Sequence, residues 1–211
     1  MTRRLLVDND VLLKLARYGL LDALVNIFGI DVSDIQVLAT AKYSLLPAKN
    51  ILLRCKDADS ANRLEDFLTR SVPLNPVDLD TNLLDTLSAI PSIDAGEALL
   101  LAAGASDPET LVITGDKRAV AALCSDCSIS QVSNALAGRV VTLEIIFWQL
   151  VKKDFTHTQS CVRCKLDVDK AISNVFGVSA PATIDSVREA LTSYINHLRG
   201  ITGGLLLVPP G

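Results

Sequence analysis

The sequence has few aromatic residues and no long hydrophobic run. Aromatic residues make up 4% of the 211 residues, so the core must consist mainly of Leu, Val, Ile and Ala, which favours helices packed on a buried sheet over a β-sandwich. No apolar segment approaches the ~20 residues of a membrane span. The apolar run at the N-terminus is too short for a signal peptide and ends in acids, so we expect a cytoplasmic protein without membrane contact.

A basic tail or long basic run, the usual mark of a nucleic-acid binder, is also missing. Lys and Arg total 20 against 24 Asp and Glu, which gives a formal charge of −4. This balance argues against a general nucleic-acid binder. It does not exclude a nuclease, because a site that holds a metal ion must itself be acidic.

Short apolar segments alternate with helical patterns along the first part of the chain. Residues 4–7, 35–39, 111–114 and 139–143 are predicted strands, and a further short strand is expected within residues 72–77. This alternation predicts an α/β fold for residues 1–152, with three α/β/α layers around a mostly parallel sheet.

The composition changes after residue 152. A polar stretch is followed by amphipathic patterns at residues 168–176 and 184–198. Residues 153–211 are therefore predicted to form a helical C-terminal extension. Its Gly- and Pro-rich tail, residues 200–211, is expected to be either disordered or docked on the body.

Acidic residues recur where predicted strands meet helices. Asp8 and Asp10 follow the first strand, and Asp116 follows the strand at residues 111–114. Ligands of parallel sheets bind beyond the carboxyl ends of the strands, and neighbouring carboxylates repel each other unless a cation lies between them. The structural alternative is that Asp10 and Asp116 each cap the helix that follows.

A second acidic pair, Asp94 and Glu97, opens the helix predicted before that strand. An Asp followed three residues later by Glu is nearly a capping box, which is again a structural explanation. Gly96 between them weakens a first helical turn, and it could instead permit close approach to a neighbouring strand.

Taken together, these segments resemble the PIN-domain family of metal-dependent ribonucleases. The resemblance covers roughly residues 3–150 and rests on the order of four motifs, Leu5-Leu6-Val7-Asp8-Asn9-Asp10, Asp94-Ala95-Gly96-Glu97-Ala98, Leu111-Val112-Ile113-Thr114-Gly115-Asp116 and Gly138-Arg139-Val140-Val141. The family often carries a further Glu on a helix after the second strand. Residues 40–46 contain no acid, which leaves open whether the site is active.

The resemblance implies an endonuclease that hydrolyses phosphodiester bonds, in RNA rather than DNA, as a toxin-type or regulatory hydrolase. Asp8, Glu97 and Asp116 would hold Mg²⁺ or Mn²⁺, with Asp10 or Asp94 assisting. Asp8, Asp10, Glu97 and Asp116 are the implied catalytic residues, and Lys117 or Arg118 could contact phosphate. A protein partner such as an antitoxin and a homodimer are further expectations.

Two other functions remain open. Asp8-Asn9-Asp10 also resembles the opening motif of haloacid-dehalogenase-type phosphatases, in which the first Asp is a nucleophile and the second an acid/base. Against this, Asp116 has no second Asp within the next few residues. The missing acid would also suit a non-catalytic PIN-like interaction module.

The five cysteines include two C-x-x-C pairs, Cys124 with Cys127 and Cys161 with Cys164. Four thiolates in paired spacing suit a tetrahedral Zn²⁺ that clips the extension to the body. The alternative is that Cys124 is a core residue and the others are incidental. Cys55 is left over, and reduced thiols are expected in a chain that is not exported.

Overall fold

The computed structural model describes residues 4–75 and 79–206 and contains five strands and twelve α-helices within those ranges. The strands are β1 Arg4–Val7, β2 Ile35–Leu38, β3 Val72–Leu74, β4 Thr110–Thr114 and β5 Val140–Thr142. The helices are α1 Asn9–Tyr18, α2 Leu21–Phe28, α3 Ala41–Leu45, α4 Leu52–Cys55, α5 Ala58–Arg70, α6 Thr81–Ser88, α7 Ala95–Ser106, α8 Lys117–Ser125, α9 Ser130–Ala135, α10 Leu143–Arg163, α11 Lys170–Phe176 and α12 Ile184–Thr202.

All five strands are parallel and lie in the order β3-β2-β1-β4-β5. The α7 helix contacts β1, β2 and β4 and packs with α6 and α9, while α1 packs with α2, α5 and α10. The sheet is thus flanked by helices, which confirms the predicted α/β/α fold with a parallel sheet. The central strands β1 and β4 are almost wholly buried and apolar, as expected for a sheet covered on both faces.

The two outer strands of the sheet are covered or interrupted in different ways. The β3 edge contains Pro73, which has no N–H for a further strand. Beside β5, the Val140 N–H donates to the Leu205 carbonyl at 3.1 Å, and Leu206 forms a parallel bridge with Val140. Residues 204–206 of the predicted tail therefore dock on the body, whereas residues 207–211 lie outside the described residues. Residues 76 and 77 of the predicted 72–77 crossing also lie outside them.

The predicted boundary at residues 152 and 153 falls within α10. The helix is broken at Asp154, whose φ of −154° and ψ of 91° are not helical. The Asp154 carboxylate then accepts the His157 N–H at 3.0 Å and so starts the second half of the helix. The extension packs on the body through an edge-to-face ring contact between Phe147 and Phe176. None of the described helices is both long and apolar enough to cross a membrane.

Candidate active site

Acidic side chains from three separate elements line one open cleft of about 840 Å³ at the carboxyl edge of the sheet. Because β1 lies beside β4, Asp8 and Asp116 leave the sheet next to each other, and the N-terminus of α7 faces the same edge. All five acidic residues predicted for the site line this cleft: Asp8, Asp10, Asp94, Glu97 and Asp116.

Asp8 occupies the N-cap position of α1, and the Asn9 and Asp10 amides at the start of that helix partly lower the pKa of its carboxylate. Within the described residues, its carboxylate makes no capping hydrogen bond, although its backbone N–H donates to the Ile113 carbonyl at 2.9 Å and so fixes the turn. Burial, followed by repulsion from Asp10 and Asp94, raises the pKa of Asp8 from 3.8 to about 6. Its carboxylate is therefore held in the cleft at an electrostatic cost.

Asp94 and Glu97 form the capping box that their spacing predicts. Glu97 N–H donates to Asp94 Oδ1 at 2.8 Å, and Asp94 N–H donates to Glu97 Oε2 at 2.8 Å. Burial and the charges of Asp116, Asp94 and Asp8 nevertheless raise the pKa of Glu97 to about 7, against a partial lowering by the Asp94 amide. The capping explanation is correct for this pair, and it accounts for one oxygen of each carboxylate.

Asp116 caps α8 and also faces the cleft. Its Oδ1 accepts the N–H groups of Arg118 and Ala119 at 2.7 and 3.2 Å, and its Oδ2 accepts the Arg118 guanidinium at 3.1 Å. Burial acts to raise the pKa of Asp116, but these bonds outweigh it and the pKa is lowered. Asp116 therefore loses its proton at a lower pH than Asp8 and Glu97 do.

Asp10 forms an ion pair with a lysine of its own helix. Lys14 Nζ lies 2.6 Å from Asp10 Oδ2 and 2.8 Å from Asp169 Oδ2 at the start of α11. Asp10 lies in the first turn of α1 and does not cap it, so the predicted capping role was wrong. A Cβ at Gly115 would stand 2.7 Å from Asp10 Oδ2, so a larger residue there would force the Asp10 side chain to shift.

Gly96 has the packing role that was suggested for it. A Cβ at this position would lie 2.9 Å from Leu38 Cδ1 at the end of β2 and 3.3 Å from Asp94 Oδ1. The absent side chain brings the first turn of α7 close to the second strand. This approach places Asp94 and Glu97 at the sheet edge rather than above it.

Sequence reasoning missed several residues of the site. Asn9 Nδ2 donates to Ser44 Oγ at 3.1 Å, while Asn9 Oδ1 is buried without a partner among the described residues. Arg54 lines the cleft from α4, and no local motif marked it. Glu144 is almost fully buried and lies 2.5 Å from Lys117 Nζ. Glu144 comes directly after the strand predicted at residues 139–143. The criterion that selected Asp8, an acid at the end of a predicted strand, therefore selects Glu144 as well.

The oxygen atoms that line the cleft suit a hard divalent cation such as Mg²⁺ better than a soft one. Among the described residues, no three His, Cys, Asp or Glu side chains form a ready-made metal-binding group. Mg²⁺ keeps several of its waters and needs only one or two carboxylates from the protein. The crowded carboxylates of Asp8 and Glu97, together with the unpartnered Asn9 Oδ1, fit such a partly hydrated ion.

The four cysteines of the predicted zinc clip are not gathered into such a group within the described ranges. Cys124 Sγ donates to the Thr202 carbonyl at 2.9 Å, whereas Cys161 lies 3.6 Å from His157 Nε2. Cys164 is close enough to Cys161 to raise its pKa, although burial is the larger cause. The two pairs thus have separate surroundings, and Cys55 is buried in the core.

Comparisons with protein-family models, with curated proteins and with solved structures found no match to this chain.

Proposed function

We propose that the chain is a metal-dependent endonuclease that hydrolyses phosphodiester bonds in RNA. The observation that supports this most directly is the meeting of Asp8, Glu97 and Asp116 in one open cleft, where two of the three have raised pKa values. Burial is the largest cause of both raised pKa values, and repulsion between the acids adds to it. A bound cation would oppose both effects, so the crowding favours cation binding.

Asp8 and Glu97 would hold Mg²⁺ or Mn²⁺ together with Asp116, and Asn9 Oδ1 is a further oxygen ligand within reach of the cleft. A bound metal ion would lower the pKa of a water molecule and stabilise charge on the phosphate. Arg54, Lys117 and Arg118 line the same cleft and would bind phosphate oxygens. Arg118 must leave Asp116 to do so, whereas Lys117 is held in an ion pair with the Glu144 carboxylate at 2.5 Å.

The choice of RNA rather than DNA follows the resemblance to PIN-domain ribonucleases. A cytoplasmic location, a toxin-type or regulatory role, an antitoxin-like partner and a homodimer are carried as part of the same proposal. The phosphatase alternative has less support. It requires Asp10 as an acid/base, whereas the Asp10 carboxylate is held in an ion pair with Lys14 at 2.6 Å.

The deciding experiment is a cleavage assay on labelled single-stranded RNA and DNA with Mn²⁺, comparing the wild type with Asp8→Asn and Asp116→Asn. Asn is a good N-cap, so Asp116→Asn removes charge while keeping the helix start. Asp80→Asn is the matched control, because Asp80 caps α6 through the amides of Asn82 and Leu83 and does not line the cleft.

We expect wild type and Asp80→Asn to cleave RNA, and both cleft variants to lose at least about 100-fold in rate. Equal rates in all four proteins would assign the nuclease activity to a contaminant. No cleavage by any of them, with a phosphoaspartate trapped at Asp8, would instead favour the phosphatase. No activity of either kind, with biological function retained in Asp8→Asn, would favour a non-catalytic module.

A further inference from the structure

We propose that residues 41–56 form a binding surface for single-stranded nucleic acid that leads into the acidic cleft. This segment, here called the rim segment, comprises α3, α4 and the turn between them. The inference rests on the proposed function for the choice of ligand, and it adds the surface that would hold the strand. Its observations are the charge of the segment, its exposed aromatic residue and its position beside the cleft.

The rim segment has a charge unlike that of the rest of the chain. It contains four cationic residues, Lys42, Lys49, Arg54 and Lys56, and all 24 Asp and Glu of the chain lie outside it. The four are spread over 16 positions, so they do not form a run that a scan for basic tails detects. All four are exposed to solvent. Lys42 lies 3.8 Å from Glu65 Oε1 on α5, so Lys49, Arg54 and Lys56 are the main source of the local positive charge that a polyanion would meet.

Buried residues anchor the rim segment to the body, so its exposed side chains have a fixed direction. Ala41, Leu45, Leu46 and Cys55 point into the core. Ser44 accepts the amide of Asn9 at 3.1 Å, which links the segment to the turn after β1. The outward residues are thus presented on a packed surface rather than on a free loop.

The outward surface of the rim segment is also unusually apolar. Tyr43 is 80% exposed, and Ile51, Leu52 and Leu53 are 41%, 41% and 52% exposed. An exposed aromatic ring among cations is the arrangement on which unpaired bases stack while the cations follow the phosphates. The neighbouring aliphatic side chains extend that apolar surface. Double-stranded substrates keep their bases stacked inside the helix, so the surface suits a single strand.

The rim segment borders the proposed reaction centre directly. Ser44, Leu45 and Arg54 line the same cleft as Asp8 and Glu97. Tyr43 adjoins Ser44 in the chain, so a base stacked on Tyr43 would lie beside the cleft that Ser44 and Arg54 line. The rim segment includes most of the residues 40–46 from which the family's additional Glu is missing. A basic surface in that place would favour strand binding over metal binding.

The test measures binding separately from cleavage. The probe is a fluorescein-labelled mixed-sequence RNA of about 12 nucleotides, within the site sizes of single-strand binding domains. Its anisotropy is titrated with Asp8→Asn protein, so that cleavage does not consume it. The variants added to this background are Tyr43→Ala, Tyr43→Phe and the triple change Lys42→Ala, Lys49→Ala, Arg54→Ala. The matched control is Lys153→Ala with Arg188→Ala, two exposed cations on α10 and α12.

We expect Tyr43→Ala to weaken binding about fivefold or more, and Tyr43→Phe to restore it, because stacking needs the ring and not the hydroxyl. The triple variant should lower the dependence of log affinity on log salt by roughly 2, since each phosphate contact contributes about 0.7 for a single strand. The control should leave both unchanged.

Equal affinity and salt dependence in all variants would overturn the rim-segment proposal, even if the wild type cleaves RNA. A loss of self-association in the variants, with RNA affinity unchanged, would assign the surface to protein contacts and would overturn it equally. Weaker RNA binding in the rim variants, in a wild type that cleaves nothing, would support the surface while removing the nuclease proposal. The two proposals therefore fail separately.

Discussion

The acidic cleft and the cysteine pairs were both predicted metal sites, and the fold treats them differently. The acids follow parallel strands or open a helix at the same sheet edge, so topology alone directs them into one cleft. By contrast, Cys124 lies near the end of α8 and Cys161 near the end of α10. The partner of Cys124 is Thr202 in α12, and the partner of Cys161 is His157 in α10. Residue spacing is thus a weaker guide to convergence than position relative to a sheet.

The chemistry of the two metals sharpens this difference. Structural zinc needs four direct protein ligands, whereas magnesium tolerates waters between itself and the carboxylates. No preformed group of three ligands is found within the described residues. This absence weighs against a zinc site at the cysteines and far less against a magnesium site at the acids. The following four predictions test this comparison.

Removing the charge of Glu97 should have the largest effect. Glu97→Gln keeps the capping box, because Gln also serves at that position, but it removes a carboxylate from the cleft. We expect nuclease activity to fall about 100-fold or more, while the far-ultraviolet circular dichroism stays unchanged. Glu189→Gln on the exposed side of α12 is the control. Full activity of Glu97→Gln would remove Glu97 from the reaction.

The raised pKa values predict a stability that depends on pH and metal. Protons bind Asp8 and Glu97 more tightly in the folded than in the unfolded chain, so these two groups contribute most to the free energy of unfolding at low pH. That contribution is lost as pH rises through about 6 for Asp8 and about 7 for Glu97. We therefore expect Asp8→Asn to raise Tm by about 3 °C near pH 8 without divalent metal, and by less near pH 5.

Mn²⁺ should give a comparable increase in wild-type Tm near pH 8 and a smaller one in Asp8→Asn, as measured by differential scanning calorimetry. The Asp80→Asn variant, changed outside the cleft, should respond to Mn²⁺ as the wild type does and controls for unspecific effects. A Tm difference between wild type and Asp8→Asn that is the same at both pH values would contradict the proposed electrostatic strain.

Removing Lys14 tests whether Asp10 belongs with the metal-binding acids or with the structural ones. The Lys14→Met variant loses ion pairs to Asp10 and Asp169, and the side chains of Lys14 and Asp169 are only 20% and 15% exposed. We expect a loss of about 1 kcal/mol in the free energy of unfolding, measured in urea, and tighter Mn²⁺ binding by calorimetry. Unchanged Mn²⁺ affinity would separate Asp10 from the metal site.

Replacing Cys124, Cys127, Cys161 and Cys164 together by Ser should have the smallest effect. Since no zinc group is formed among the described residues, we expect the free energy of unfolding to change by less than about 1 kcal/mol. Metal analysis should find less than one zinc per purified wild-type chain. One tightly bound zinc per wild-type chain, lost in the variant together with stability, would restore the zinc clip.

Much of the fold could be predicted because its strands are short and mostly apolar. β1 and β4 stand out as apolar runs that end in acids, and the boundaries agree within a residue. The break between α1 and α2 is not marked by the hydrophobic pattern, which continues across Gly19, whereas the φ of 73° at Gly19 ends α1. At the start of α5, the Asp57 carboxylate accepts the Ser60 amide and caps the helix.

The acidic residues that line the cleft and the capping box of Asp94 and Glu97 were predicted, but the cations that pair with these acids were not. Strand ends identified Asp8 and Asp116, and only coordinates could show that Lys14 neutralises Asp10 or that Arg118 covers Asp116. Arg54 could not be found from sequence, because its place beside the cleft depends on how α4 packs on α1 and α5. Local patterns determine which residues follow strands, whereas long-range packing determines their neighbours.

The treatment of the sheet's two outer strands has a consequence for how copies of this chain can associate. Pro73 interrupts one outer strand, and residues 204–206 cover part of the other. Strand-to-strand joining between molecules, which leads to fibrous aggregates, is therefore disfavoured at both sides of the sheet. Any pairing of copies would have to use helical surfaces and would leave the parallel sheet of each copy intact.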